Sequence, residues 1–178
     1  MTLDLSLVPD GGVPWLAASG EHSDIVLSSR IRFARNVAGY AFTARARDGE
    51  RLRVLAQVRE ALPRIPSLSS AVVLRLDEMT LTERQLLHER HLVSKELAAL
   101  DGASEARSGA AVLVSNDAGV MINEEDHLRL QVFRSGFDMG GAFQAATKLD
   151  RELGGEVPYA FHQEFGFLTS CPTNTGTA

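Results

Sequence analysis

Between residues 111 and 133 the chain spells three short strands in close succession, and this run constrains the fold more than any other stretch. Residues 111–115 (AVLVS) and 120–122 (VMI) are apolar runs too short for helices. Asn116-Asp117-Ala118-Gly119 between them is the chemistry of a hairpin turn. Residues 127–133 then alternate, with Leu128, Leu130 and Val132 on one face. Hairpin-connected strands with helices interspersed predict an α+β fold, a mostly antiparallel sheet flanked by helices.

The rest of the chain fits that plan. Residues 25–35 alternate as a strand, Leu27, Ser29, Ile31 and Phe33 against Ser28, Arg30, Arg32 and Ala34. Residues 48–62 predict a helix on the spacing of Leu52, Leu55, Val58 and Leu62, ended by Pro63. Residues 71–76 read as a second strand. Residues 80–100 hold helical segments opened by a capping box of Thr80 and Glu83. Residues 138–153 predict a helix closed by Gly154-Gly155, and residues 157–170 return to strand-like composition. Residues 1–23 form a lead-in with Trp15 and Leu16 as candidate anchors, and residues 24–178 form the domain proper. No repeat or low-complexity tract interrupts it.

Composition excludes several classes. No apolar run approaches the roughly 20 residues of a membrane helix. The net charge of −5 argues against non-specific nucleic-acid binding. Cys171 is the single cysteine, so no internal disulfide can form, and residues 1–10 lack a secretory pattern; a cytoplasmic location is expected. All 18 basic residues except Lys95 and Lys148 are arginine. A GC-rich genome accounts for the number, so position has to carry any argument.

Four places could carry chemistry. On a strand, Ser28, Arg30 and Arg32 share a face, the two arginines rooted about 7 Å apart. Two guanidinium forks at that separation can straddle a polyphosphate, although a solvated strand face gives the same pattern. Asn123-Glu124-Glu125-Asp126-His127-Leu128-Arg129 sets three carboxylates in a row, which repel unless a cation sits there. An acidic hairpin turn is the plain alternative. Residues 169–177 (TSCPTNTGT) form a turn of small polar residues rich in backbone donors, able to bind an anion or activate a thiol, or simply to follow a structural cysteine. His91 sits alone on a helical segment. No Gly-Lys-Ser/Thr phosphate loop exists in the chain.

Asn123 to Arg129 and Cys171-Pro172-Thr173-Asn174-x-Gly176-Thr177 are similar to the two signature segments of the ATP:guanido phosphotransferases. Residues 26–32 with Arg35 resemble that family's nucleotide-binding strand, and His91 falls where the family places a nucleotide-contacting histidine. The motifs occur in family order, and the resemblance covers residues 24–178. The family's small-guanidine kinases carry a helical domain before this strand. Here 24 residues precede Ile25, too few for one, so the protein-arginine kinase branch is the nearer resemblance.

The resemblance implies a guanido-kinase catalytic-domain fold and phosphoryl transfer from ATP, with Mg²⁺, to arginine side chains of proteins. It implies that Ser28, Ser29, Arg30, Ile31, Arg32, His91 and Arg129 contact ATP. Glu125 would grip the guanidinium and act as base, Cys171 would lie beside it as a thiolate, and Glu124, Asp126, Asn123 and Asn174 would support the site. The implied partners are arginine-bearing unfolded proteins, a stress repressor, a Clp-type unfoldase, a zinc-binding activator protein and a second copy of the chain. The family pattern continues with Leu-Arg where this sequence reaches Ala178; a truncated sheet, a half-built site and little activity are expected. A kinase for a small free guanidino compound and a non-catalytic arginine- or phosphoarginine-binding module remain the alternatives.

Overall fold

The computed structural model describes residues 13–102 and 105–176. Five strands, β1 (Ser28–Arg35), β2 (Val72–Arg75), β3 (Ala111–Val114), β4 (Ala118–Ile122) and β5 (Leu128–Ser135), form one sheet in the order β1-β5-β4-β3-β2. Every pairing is antiparallel, and β3 to β5 is the meander that the apolar runs and turn residues predict. Helix α1 spans Asp48–Ala61, α2 Leu81–Glu89 and α3 Met139–Glu156. A small hairpin of β6 (Phe161–His162) and β7 (Gly166–Phe167) follows.

The alternation of each strand separates two cores. On one face, Leu113, Val120, Ile122, Leu128 and Leu130 pack with Val54 and Val58 of α1 and Leu149 and Leu153 of α3. On the other, Val112, Val114 and Met121 pack under Leu87 of α2 and Leu92, Val93 and Leu97 beyond it. The second core covers β2 to β4, so on that face the β1–β5 end of the sheet is not closed by α2.

Several expectations shift in detail. The buried side of α1 is Val54, Leu55, Val58 and Ala61, while Leu52 is exposed. Of residues 80–100 only α2 is α-helical; its capping box is present, with Thr80 N–H donating to Glu83 Oε2 (2.8 Å) and Glu83 N–H to Thr80 Oγ1 (3.3 Å). Helix α3 runs through Gly154-Gly155 to Glu156. The strand-like stretch 157–170 holds only the two-residue strands β6 and β7. In the lead-in, Trp15 is buried and stacks on Phe133 of β5 (5.3 Å between centroids), whereas Leu16 is exposed. The lead-in is also held where Phe137 N–H donates to Glu21 O (2.7 Å). A Cβ at Gly136, whose φ is +66°, would collide with the backbone of Gly20 and Glu21.

Candidate functional site

Strand register decides which arginines meet. In the β1–β5 ladder Arg30 lies opposite Phe133, Arg32 opposite Gln131 and Ala34 opposite Arg129. Directly paired residues share a face, so Arg30, Arg32 and Arg129 stand together on the face that α2 leaves open, with Ser28 in the same row. Arg30 and Arg32 are exposed, and among the described residues neither has a carboxylate within ion-pair distance. Burial, then Arg32, then Arg129 lower the pKa of Arg30. A guanidinium keeps its charge at neutral pH regardless. Three like charges held together in this way repel one another, and an anion on the face would relieve the repulsion.

Aromatic side chains shape the rim. The Arg30 guanidinium lies over the Phe133 ring (5.6 Å). Trp15 stacks on that ring and meets His91 edge-on (5.6 Å). His91, in the turn after α2 with φ +58°, is tied to the sheet by Gln131, whose amide donates to His91 O (3.2 Å). The imidazole therefore lies beside Trp15 at the rim of the arginine face. Ser29 and Ile31 stand on the opposite face. The Ser29 hydroxyl donates to Gly136 O (2.9 Å) and accepts from Asp138 N–H (2.9 Å), fastening the start of α3. Arg35 is on that face too, buried, with Nε and Nη2 donating to the two carboxylate oxygens of Asp150 of α3 (3.0 and 2.9 Å).

At the end of β4 the chain turns through Asn123, whose φ of +58° is tolerated by asparagine better than by most side chains. Its amide donates to Arg51 O (3.0 Å) and Gly109 O (2.9 Å), so this side chain shapes the turn. The three carboxylates that follow have three separate environments. Glu124 is buried, accepting from Arg129 (2.8 Å) and from Glu125 N–H (3.0 Å). Asp126 is buried, with Oδ1 accepting from Asn36 Nδ2 and Ser170 N–H, each at 2.6 Å. Glu125 alone stays open, its side chain 44% exposed, with Oε2 3.7 Å from Arg129. His127 is fully buried: Nδ1 accepts from Val37 N–H (3.0 Å), so Nε2 carries the proton and donates to Ala41 O (3.0 Å). Burial holds its pKa below the ordinary value, in keeping with a neutral ring.

The cysteine turn docks against this acidic corner. Besides the Ser170 amide on Asp126, the Ser170 hydroxyl donates to Glu125 O (2.9 Å). Cys171 is half-buried, its Sγ 2.9 Å from Thr173 Oγ1. The turn closes through Asn174 N–H donating to Cys171 O (3.0 Å); Thr177 lies outside the described residues. Two segments some 45 residues apart thus meet at the start of β5, and Arg129, through Glu124 and Glu125, links this corner to the arginine face. Asn36, Gln131, Phe133 and Trp15 help build this region. Sequence reading singled out only Trp15 among them, because a polar residue at a strand end or a cross-strand partner has no spacing signature of its own.

The geometry offers a cationic face for an anion and, next to it, one exposed carboxylate for a cation, with Arg129 touching both. Among the described residues no group of three or more His, Cys, Asp or Glu could hold a metal ion, and no helix is long and apolar enough to cross a membrane.

Residues 53–178 match the family model for the ATP:guanido phosphotransferase C-terminal catalytic domain. The chain is 38% identical over 167 residues to a protein-arginine kinase of Shouchella clausii (strain KSM-K16), covering 92% of this chain and 45% of that protein. It is 37% identical over 180 residues to one of Bacillus cereus (strain AH187), covering 99% of this chain and 49% of the relative. The chain therefore spans about half the length of the curated relatives it matches. Among solved structures, a taurocyamine kinase from Schistosoma mansoni with bound transition-state-analogue components superposes with a TM-score of 0.75 at 24% identity, over 86% of this chain and 22% of the other. A lombricine kinase superposes with a TM-score of 0.71 at 22% identity, over 99% of this chain and 50% of the other. At these identities the structural likeness speaks for the fold.

Proposed function

Because the chain belongs to the ATP:guanido phosphotransferase family, we propose that its arginine face and acidic corner serve phosphoryl transfer from Mg-ATP to the guanidinium of arginine side chains in proteins. The observation that carries the proposal is the position of Arg129, 2.8 Å from Glu124 and 3.7 Å from Glu125, on a face it shares with Arg30 and Arg32, which have no carboxylate partner among the described residues. It sets an anion-binding face directly beside an exposed carboxylate. The protein target, rather than a small guanidine, is favoured by the relatives' name of protein-arginine kinase.

In this reading the polyphosphate lies along Ser28, Arg30, Arg32, His91 and Arg129. Mg²⁺ arrives as part of the nucleotide, held by phosphate oxygens rather than by a protein cage. The transferred phosphoryl group spreads charge over its oxygens, and the fixed guanidinium groups neutralise it without reorganising. Glu125 accepts two N–H groups of the substrate guanidinium, aims one nitrogen at the γ-phosphorus, and takes its proton as the N–P bond forms and the P–O bond to ADP breaks. Glu124, paired with Arg129 and bonded to the Glu125 amide, keeps that carboxylate in place. Cys171, docked in the same corner, would add a second anionic partner for the cation. The proposal extends to a cytoplasmic stress role, in which phosphoarginine marks unfolded proteins and a repressor for a Clp-type protease, with a zinc-binding activator and self-association as further partners.

The test is transfer of labelled γ-phosphate by full-length protein to an unfolded arginine-rich protein or to free arginine. Acid-labile, base-stable label on the protein is expected, and Glu125→Gln should lower turnover about 100-fold or more. Efficient transfer to free arginine alone would favour a small-guanidine kinase. Binding of both ligands without transfer would leave a binding module.

A further inference from the structure

We infer that Asn36, outside every signature segment, is a positioning residue that locks the Glu125 loop and the Cys171 turn into one unit through a shared bond to Asp126. The catalytic side of this inference rests on the function proposed above; the lock itself does not. Asn36 is fully buried one residue beyond β1, and its amide is used at both ends. Nδ2 donates to Asp126 Oδ1 (2.6 Å) and to Leu168 O (3.2 Å), and Oδ1 accepts from His127 N–H (3.0 Å). Its backbone O accepts from Ala160 N–H (2.7 Å). One side chain thus touches the acidic segment twice and the approach to the cysteine turn once.

Asp126 completes the lock. Its Oδ1 takes the Asn36 amide and the Ser170 N–H together, while Oδ2 is buried and has no hydrogen-bond partner among the described residues. Among those residues, the hydrogen bonds to this buried carboxylate therefore converge on a single oxygen. Ser170 then reaches back to Glu125 O (2.9 Å), closing a ring of bonds whose two outer members adjoin Glu125 and Cys171. Only a group with both a two-proton donor and an acceptor can satisfy Asp126, Leu168 and His127 at once. An aspartate at 36 keeps the shape and accepts from His127, but it sets a second carboxylate against Asp126, so the pair must either repel or take up a proton, and the two-proton donor is lost. Alanine at 36 removes donor and acceptor together and adds no charge, which leaves the Ser170 N–H as the remaining bond of the two on Asp126 Oδ1.

The experiment is hydrogen exchange of the full-length protein, followed at the Ser170 amide and at the β4–β5 amides, in wild type, Asn36→Asp and Asn36→Ala. In both variants the Ser170 amide should exchange about tenfold faster or more, with β4–β5 protection unchanged. The kcat for arginine phosphorylation should fall about 100-fold in each variant, because a displacement of about 1 Å at reacting groups has that effect. The KM for ATP should stay within about threefold, since the arginine face is not part of the lock. Unaltered Ser170 exchange in Asn36→Ala would overturn the lock. Faster exchange with unchanged kcat would overturn its catalytic side. If the variants show the exchange pattern but wild type transfers no phosphate, the lock stands and the proposed function fails. If Asn36→Asp does not fold, Asn36→Ala decides by the same readout.

Discussion

His127 and Glu125 stand two residues apart and are used in opposite ways. Glu125 is left open to solvent, whereas His127 is sealed in with a proton only on Nε2. Protonating Nδ1 would turn its bond with Val37 N–H into a clash of two donors, and burial already disfavours the charged ring. The folded pKa is therefore depressed below the unfolded value of about 6.5. Below that unfolded value the unfolded chain binds the proton more readily, so this contribution to stability is complete above about pH 6.5 and is lost as pH falls through the folded pKa. One proton contributes a slope of at most about 1.4 kcal/mol per pH unit. Urea unfolding at pH 7.5 and 5.5 should show wild type losing more stability on acidification than His127→Gln, even if the variant is less stable at pH 7.5. Equal losses would mean that His127 does not set the slope. Sequence placed His127 within the acidic run but gave no reason to think it structural; its partners Val37 and Ala41 are some 90 residues away.

At the scale of elements, helix α3 shows what local sequence can and cannot specify. Its start was legible, since Asp138 accepts from Gly141 N–H (2.8 Å) as an N-cap side chain should. Its end was not. Gly154-Gly155 resembles a helix stop, yet Leu153 and Val157 on either side are fully buried and carry the helix onward. Gly154 serves another purpose: a Cβ there would come within 2.9 Å of the Tyr159 ring. Burial raises the pKa of Tyr159 well above the phenol's ordinary value, and its hydroxyl donates to Asp150 O (3.2 Å). The same helix is pinned to β1 by Arg35 and Asp150, whose side chains are 3% and 14% exposed. Family resemblance grouped Arg35 with the nucleotide-binding arginines, but strand period puts an odd-numbered residue on the helix side. There its guanidinium lies 3.8 Å from the centre of the Phe167 ring. Asp150→Ala leaves that charge buried without its carboxylate and should lower unfolding free energy by about 3–5 kcal/mol. Denaturant unfolding at neutral pH checks this, and a loss under about 1 kcal/mol would show the pair to be dispensable.

Across the whole molecule, the site is assembled from pieces that sequence identifies and contacts that it does not. The period-two rule was enough to place Ser28, Arg30 and Arg32 in one row, and the acidic run and cysteine turn were visible as segments. Their meeting depends on the Ser170 backbone amide and the buried Asn36 side chain, which carry no pattern along the chain. The assembly also separates charges that hold the fold from charges available to a ligand, and Arg129 and Arg32 make the contrast testable. Arg129 partners Glu124, which is 1% exposed, so Arg129→Met leaves a buried carboxylate unpaired and should destabilise by about 3–5 kcal/mol. Arg32 is exposed, has no carboxylate partner among the described residues, and lowers the pKa of Arg30 by repulsion. Arg32→Met should therefore change stability by no more than about 0.5 kcal/mol, and relief of that repulsion sets the sign toward stabilisation. On the proposed reading both variants weaken Mg-ATP binding, because each removes a charge-assisted contact worth about 1.5–3 kcal/mol. Thermal unfolding of wild type and both variants, with and without Mg-ATP, reads both quantities at once. The expected result is a normal melting temperature and a diminished nucleotide-induced shift for Arg32→Met, against a lowered melting temperature and a diminished shift for Arg129→Met. An Arg32→Met protein that melts early would assign this arginine to the fold. One that keeps the full nucleotide shift would remove the open face from the ATP site.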